Sequence, residues 1–159
     1  MSDSDQAHLL VLDDDPIVTR SLEALLRAET EWEVAAFNRP SAALEALDAQ
    51  TYQAVVSDFL MPELDGIRFL KRVKEAQPSA SRILLTGYAD KKNAIRSINE
   101  VGLYHYLEKP WDNDDLLLVL RNAVERALLV QELDAKMRSL SEKDQSLEQM
   151  RASLLKAIL

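Results

Sequence analysis

Three short apolar runs in this chain each end on an acidic residue and then a turn. Leu9-Leu10-Val11-Leu12 runs into Asp13-Asp14-Asp15-Pro16, and Val55-Val56-Ser57 runs into Asp58, ahead of Pro62 and Gly66. Leu103-Tyr104-His105-Tyr106-Leu107 runs into Glu108-Lys109-Pro110. In an open parallel sheet the C-terminal ends of all strands share one edge, and ligands bind there. The pattern therefore predicts a fold and, along one edge of it, carboxylates and a lysine suited to a cation and a phosphoryl group.

Strand-like segments at 8–12, 32–37, 54–58, 82–86 and 103–107 alternate with helical patterns at 16–28, 40–49, 65–76 and 90–100. Asp65 and Asp90 stand where they can cap the third and fourth helices, and Pro40 suits a first helical position. Such alternation predicts parallel strands joined by right-handed crossovers, with helices on both faces. The segments 9–12, 54–56 and 83–85 are apolar throughout, as strands buried on both faces should be. Segment 32–37 alternates instead, which suits an edge. The fold class is α/β, a doubly wound five-stranded parallel sheet.

After Pro110 the character changes. Asp112 or Asn113 caps a helix whose first turn carries Asp114 and Asp115, favourable at a positive helix end. No Gly or Pro follows as far as Leu159. Leu133, Leu140, Leu147 and Leu154 recur every seven residues, with Val130, Met137, Asp144, Arg151 and Ile158 at the other seam position. That heptad pattern predicts a long C-terminal helix whose residues 129–159 form a dimeric coiled coil; the alternative is a helix folded back on its own domain. The expected division is a flexible 1–6, a domain over 7–128 and the helical extension 129–159. The heptads are still running at Leu159, which favours a chain cut from a longer protein.

Composition removes several function classes. The formal charge of -8 over 159 residues argues against nonspecific binding to a nucleic-acid backbone. Without cysteine there are no disulfides, thiolate metal sites or cysteine nucleophiles. The N-terminus, Met1-Ser2-Asp3-Ser4-Asp5, is unlike a secretory signal, and the longest apolar run, Leu116 to Leu120, is too short to cross a bilayer. A cytoplasmic protein with no membrane partner is the expectation.

At the strand edge, Asp13 and Asp14 should lie close to Asp58. Carboxylates this close repel, and a shared hard cation such as Mg²⁺ would relieve that. Asp58 is then a candidate carboxylate nucleophile for a phosphoryl group. Lys109 can supply a second positive charge, and the Thr86 hydroxyl can donate to a phosphoryl oxygen. Asp15 reads as a helix cap, and His105 receives no role.

These residues together resemble the receiver domain of two-component response regulators, over 7 to about 128. The matching positions are Asp13-Asp14, Asp58 with Met61-Pro62 and Asp65-Gly66, Thr86, and Lys109-Pro110. The resemblance implies a flavodoxin-like strand order 2-1-3-4-5 and a phosphoryl group taken by Asp58 from a histidine kinase or histidine phosphotransfer protein. It implies Mg²⁺ held by Asp14, Asp58, the Leu60 main-chain carbonyl and waters, with Asp13 acting largely through water. It further implies a cis Lys109–Pro110 peptide and a switch aromatic at Tyr106, which turns inward with Thr86 and reshapes the face of the fourth helix, fifth strand and fifth helix. Leu60 and Tyr88 occupy positions where the family screens or admits hydrolytic water, and both are bulky.

Two kinds of function follow. One is a switch, not itself an enzyme beyond the phosphoryl chemistry at Asp58, that controls dimerisation or an output module through the C-terminal helix. The other is the regulatory fragment of a cyclic-di-GMP phosphodiesterase, diguanylate cyclase or phosphatase. Residues 85–90 and 106–112 resemble receivers that precede such domains. A transcription regulator would need a helix-turn-helix or similar reader, and none is visible in these residues; the fragment reading extends to a transcription regulator whose output domain is absent.

Overall fold

A computed structural model of the chain describes residues 6–87 and 90–158, without the side chains at 96, 97 and 158. Tyr88, the first five residues, the Ile158 seam side chain and Leu159 therefore lie outside the described residues. Five strands and five helices alternate: β1 (His8–Leu12), α1 (Pro16–Glu29), β2 (Glu33–Phe37), α2 (Pro40–Ala49), β3 (Ala54–Asp58), α3 (Gly66–Ala76), β4 (Ser81–Thr86), α4 (Lys91–Val101), β5 (His105–Glu108) and α5 (Asn113–Ile158). All strand pairs are parallel, in the order β2-β1-β3-β4-β5. The fold is the doubly wound sheet the sequence implies, with the alternating segment at one edge and a long C-terminal helix.

Strand periodicity sorts the core into two layers. Leu9, Val11, Ala54, Val56, Ile83 and Leu85 pack with Leu22 and Leu26 of α1 and Leu116 and Leu120 of α5. Their neighbours Leu10, Leu12, Val55 and Leu84 pack with Leu47, Phe69, Leu70, Val73, Ala94 and Val101 of α2, α3 and α4. Each fully buried leucine contributes about 1.5–3 kcal/mol. Both layers need all three central strands, so the strand ends are held in fixed register.

Local signals set the helix starts. Asp15 Oδ1 accepts from Ile17 N at 2.9 Å, and Asp65 Oδ1 accepts from Arg68 N at 2.8 Å. Of the two candidate caps for α5, Asp112 does the work, accepting from Asp114 N at 2.9 Å and Asp115 N at 3.1 Å. Asp90 is a correction. It occupies the N-cap position of α4 but makes no side-chain cap bond, because its backbone is already helical (φ -101°, ψ -1°). The fifth strand also starts later than residue 103. Gly102, at φ 58°, ends α4 in a left-handed turn, and Leu103 N bonds back to Ile98 O at 3.3 Å.

The chain divides into two compact units, Met1–Leu128 and Leu129–Leu159. The first contains the sheet. The second, taken by itself, is helical through residue 158 with its large apolar side chains exposed.

Gly66 ties the fold to the strand edge. Its N–H donates to Phe59 O at 2.8 Å, and a Cβ built there would stand 2.0 Å from the Asp58 carbonyl oxygen. That atom is backbone and cannot swing away. Gly66→Ala is expected to destabilise the chain by roughly 2–4 kcal/mol in urea unfolding. A change under about 0.5 kcal/mol would contradict the close approach.

Candidate functional site

Asp13 follows β1, Asp58 ends β3, Thr86 ends β4 and Lys109 follows β5, so four strand ends supply the site. Lys109 Nζ donates to Asp13 Oδ2 at 2.7 Å and to Asp58 Oδ1 at 3.0 Å. Carboxylate oxygens of Asp13, Asp14 and Asp58 lie within 4.8 Å of one another. Asp13 is 0% exposed and Asp58 8%, whereas Asp14 faces solvent. Glu108, the acid at the end of β5, does not join them: it pairs with Lys91 at 3.0 Å.

The main chain around Asp13 is pinned. Asp13 N donates to Phe37 O at 3.1 Å, and its Oδ1 accepts from Asp15 N at 2.9 Å. Asn38 Nδ2 donates to Asp13 O at 2.9 Å and to Thr19 Oγ1 at 3.0 Å. Asn38 was not legible as a site residue. Its role depends on the register that pairs Leu12 with Phe37, which places the residue after β2 beside the residue after β1.

Thr86 lies one position beyond Leu85, the residue paired with Asp58 across β3 and β4. It is fully buried, and its Oγ1 has no hydrogen-bond partner among the described residues. An orphaned buried hydroxyl costs about 1–3 kcal/mol, so its lack of a partner calls for an explanation. Tyr106 is half-buried on β5, with a small cavity of about 150 Å³ beside it lined by Ile98, Leu103, Tyr104 and His105. Leu60 is 59% exposed. The Lys109–Pro110 peptide is cis.

The charges at this edge are unequally served. Burial raises the Asp58 carboxyl above its ordinary value, and the Asp13 charge adds to this against the hydrogen bond and charge of Lys109 and the Phe59 backbone. Burial would lower Lys109, but the hydrogen bonds and charges of Asp13 and Asp58 together leave it raised. One lysine satisfied by two carboxylates is thus stable as a cation, while Asp58 is charged at a cost.

The chain belongs to the response regulator receiver domain family, whose model matches residues 9–121. It is 40% identical over 126 residues to the hydrogenase transcriptional regulatory protein HoxA of Cupriavidus necator, covering 79% of this chain and 25% of the relative. To the transcriptional regulatory protein FixJ of Bradyrhizobium diazoefficiens it is 33% identical over 146 residues, covering 87% of this chain and 70% of the relative. Among solved structures, the signal receiver domain of an HD domain-containing protein from Pseudomonas fluorescens Pf-5 is 34% identical with a TM-score of 0.72, covering 77% of this chain and 97% of that one. The chain spans about a quarter of the length of the HoxA relatives. It is a receiver domain related to the HoxA, FixJ and NtrC regulators.

The pKa direction at Asp58 fixes a sign. The folded chain holds the Asp58 proton more tightly than the unfolded chain does. Stability is therefore lost as pH rises from the ordinary value of 3.8 through the raised one. Asp58→Asn removes that cost. Without divalent cation at neutral pH, its Tm is expected to rise by roughly 2–5 °C, with the gain vanishing below the carboxylate range. A lower Tm for Asp58→Asn would contradict the charge account.

Proposed function

We infer that this chain is a phosphorylation switch in which Asp58 takes a phosphoryl group from the phosphohistidine of a histidine kinase or histidine phosphotransfer protein. The observation that carries this reading is the convergence of Lys109 on both Asp58 and Asp13 at the strand edge. Mg²⁺ fits the donor set: the three carboxylates offer only oxygen, and Lys109 brings one positive charge against their three. Asp14, Asp58 and the Leu60 carbonyl would hold the ion, with Asp13 acting largely through water. When bound, the ion neutralises charge on the phosphoryl oxygens in transfer.

The chain's own residues divide the remaining work. An Asp58 carboxylate oxygen attacks phosphorus, forming an O–P bond as the N–P bond to the donor histidine breaks. The electron pair leaves with the imidazole, which takes a proton from solvent. Lys109 is already directed at Asp58 and moves to a phosphoryl oxygen, exchanging one anionic partner for another. The buried Thr86 hydroxyl gains its partner by donating to the same group. Tyr106 then turns inward and reshapes the α4-β5-α5 face. The chain performs no chemistry beyond this self-phosphorylation and its hydrolysis.

Residues 7–128 act as the receiver and 129–159 as a signalling helix that joins two copies in the cytoplasm. No described helix is long and apolar enough to cross a membrane. HoxA and FixJ are transcriptional regulators, which favours a DNA-directed output in the whole protein, with these residues making no nucleic-acid contact themselves. A second reading has its own observation: the similar Pseudomonas receiver belongs to an HD domain-containing protein, which favours a phosphodiesterase or related enzymatic output. Reading the gene beyond codon 159 separates these.

Incubation with acetyl phosphate and Mg²⁺ should add one phosphoryl mass to the intact chain, lost entirely in Asp58→Asn. Retention of the added mass by that variant would overturn the assignment. The bulk of Leu60 and Tyr88 predicts a phosphoryl lifetime of about hours. Decay followed by intact mass checks this, and loss within about a minute would contradict it.

A further inference from the structure

The second unit carries an apolar stripe that nothing within it covers. Leu133, Met137, Leu140, Leu147 and Leu154 are each 59–63% exposed. Placing the leucines at the d positions of the heptad assigns every flanking residue. The g positions are then Leu129, Lys136, Lys143, Met150 and Ala157, and the e positions are Asp134, Ser141, Glu148 and Leu155. No g residue is acidic and no e residue is basic.

That segregation discriminates between helix directions. Antiparallel helices set g against g and e against e, so lysine meets lysine and acid meets acid. No stagger of that arrangement offers an opposite-charge flanking pair. Parallel, in-register helices set each g against the e position five residues further along the other helix. Lys143 then meets Glu148 of the second copy, and Met150, 60% exposed, meets Leu155, 49% exposed. The other two pairs, Lys136 against Ser141 and Leu129 against Asp134, gain no such match, and Lys136 and Asp134 are already paired on their own helix.

The use of charges within the helix agrees. Glu132 pairs with Lys136 and Asp134 with Arg138, each at 3.0 Å and four residues apart. Lys143 has Ser139, Leu140, Ser146 and Leu147 at those spacings, and so has no acid to pair with on its own helix. Neither Lys143 nor Glu148 makes an ion pair among the described residues. In the seam itself, Asp144 would face Asp144, with Lys143 of the second copy flanking and partly offsetting it. Arg151 would face Arg151 without such relief. Pairing Asp144 with Arg151 instead needs a one-heptad stagger, which breaks two-fold symmetry and leaves an open-ended contact.

We propose that residues 129–158 bind a second copy of this chain as a parallel, in-register coiled coil whose direction and register are set by Lys143 reaching Glu148 of the second copy. This rests on the dimer reading above and adds its geometry. The two opposed like-charge layers keep the association weak enough to be shifted by modest changes. Parallel packing brings the two C-terminal ends side by side.

The absence of native cysteine makes the test direct. Leu140→Cys and Leu154→Cys, each in the full chain under a glutathione redox buffer, are expected to form self-linked dimers. Mixing the two variants should give no cross-linked species joining one to the other. If light scattering shows dimers but the two variants do not both self-link, the parallel register is overturned while the dimer reading stands. If light scattering shows only monomers up to high concentration, both fall. Lys143→Glu and Glu148→Lys should each raise the dimer dissociation constant roughly fivefold, and the double variant should return it to within about twofold. Failure of the double variant to recover would overturn the Lys143–Glu148 pairing.

Discussion

One lysine serves two buried carboxylates at the C-terminal edge of this sheet, and a third stands beside them. Lys109 contacts Asp13 and Asp58 directly, yet Asp58 is still held above its ordinary pKa by burial and by the Asp13 charge. A sheet built only for stability would not collect acids at one edge. Removing charge from a buried site is often neutral or stabilising, so the arrangement is one that stability alone does not account for, and it supports the function proposed above. The rest of the first unit holds it in place. Two apolar layers fix the register of the central strands, Gly66 closes on the Asp58 carbonyl, and Asn38 anchors the Asp13 carbonyl.

The central strands were legible because a strand buried on both faces must be apolar throughout, and Leu9–Leu12, Val55–Val56 and Ile83–Leu85 are. The edge position of β2 was legible for the converse reason. What sequence reading missed depends on backbone geometry. The left-handed turn at Gly102 delays β5, and with a helical backbone at Asp90 the expected side-chain cap does not form. The site acids and Lys109 could be read from their places after strands. Asn38 could not, because its partner is 25 residues away in sequence and is reached only through the β1–β2 register. Thr86 could be read as the residue ending the fourth strand; that its hydroxyl is wholly buried and unpartnered among the described residues required the structure.

The two units express the same economy in different ways. In the first, like charges are crowded at one edge, the Thr86 hydroxyl is buried without a partner among the described residues, and a small cavity lies beside Tyr106. In the second, bases and acids are sorted to opposite flanks of an apolar stripe, and two seam positions carry charge. Neither unit is built for maximum stability. Under the proposed function, a ligand in the first unit and a second copy in the second would supply what is missing, which is what a switch requires of its energetics.

Thermal unfolding in increasing Mg²⁺ tests the charge imbalance most directly. If Asp13, Asp14 and Asp58 form an under-neutralised cation site, about 10 mM Mg²⁺ should raise the Tm of the chain, because an ion that binds only the folded state stabilises it. Asp14→Asn should lose most of that rise, and Asp58→Asn should lose it from an already higher starting Tm. An unchanged Tm in the parent chain, or an equal rise in all three proteins, would contradict the account.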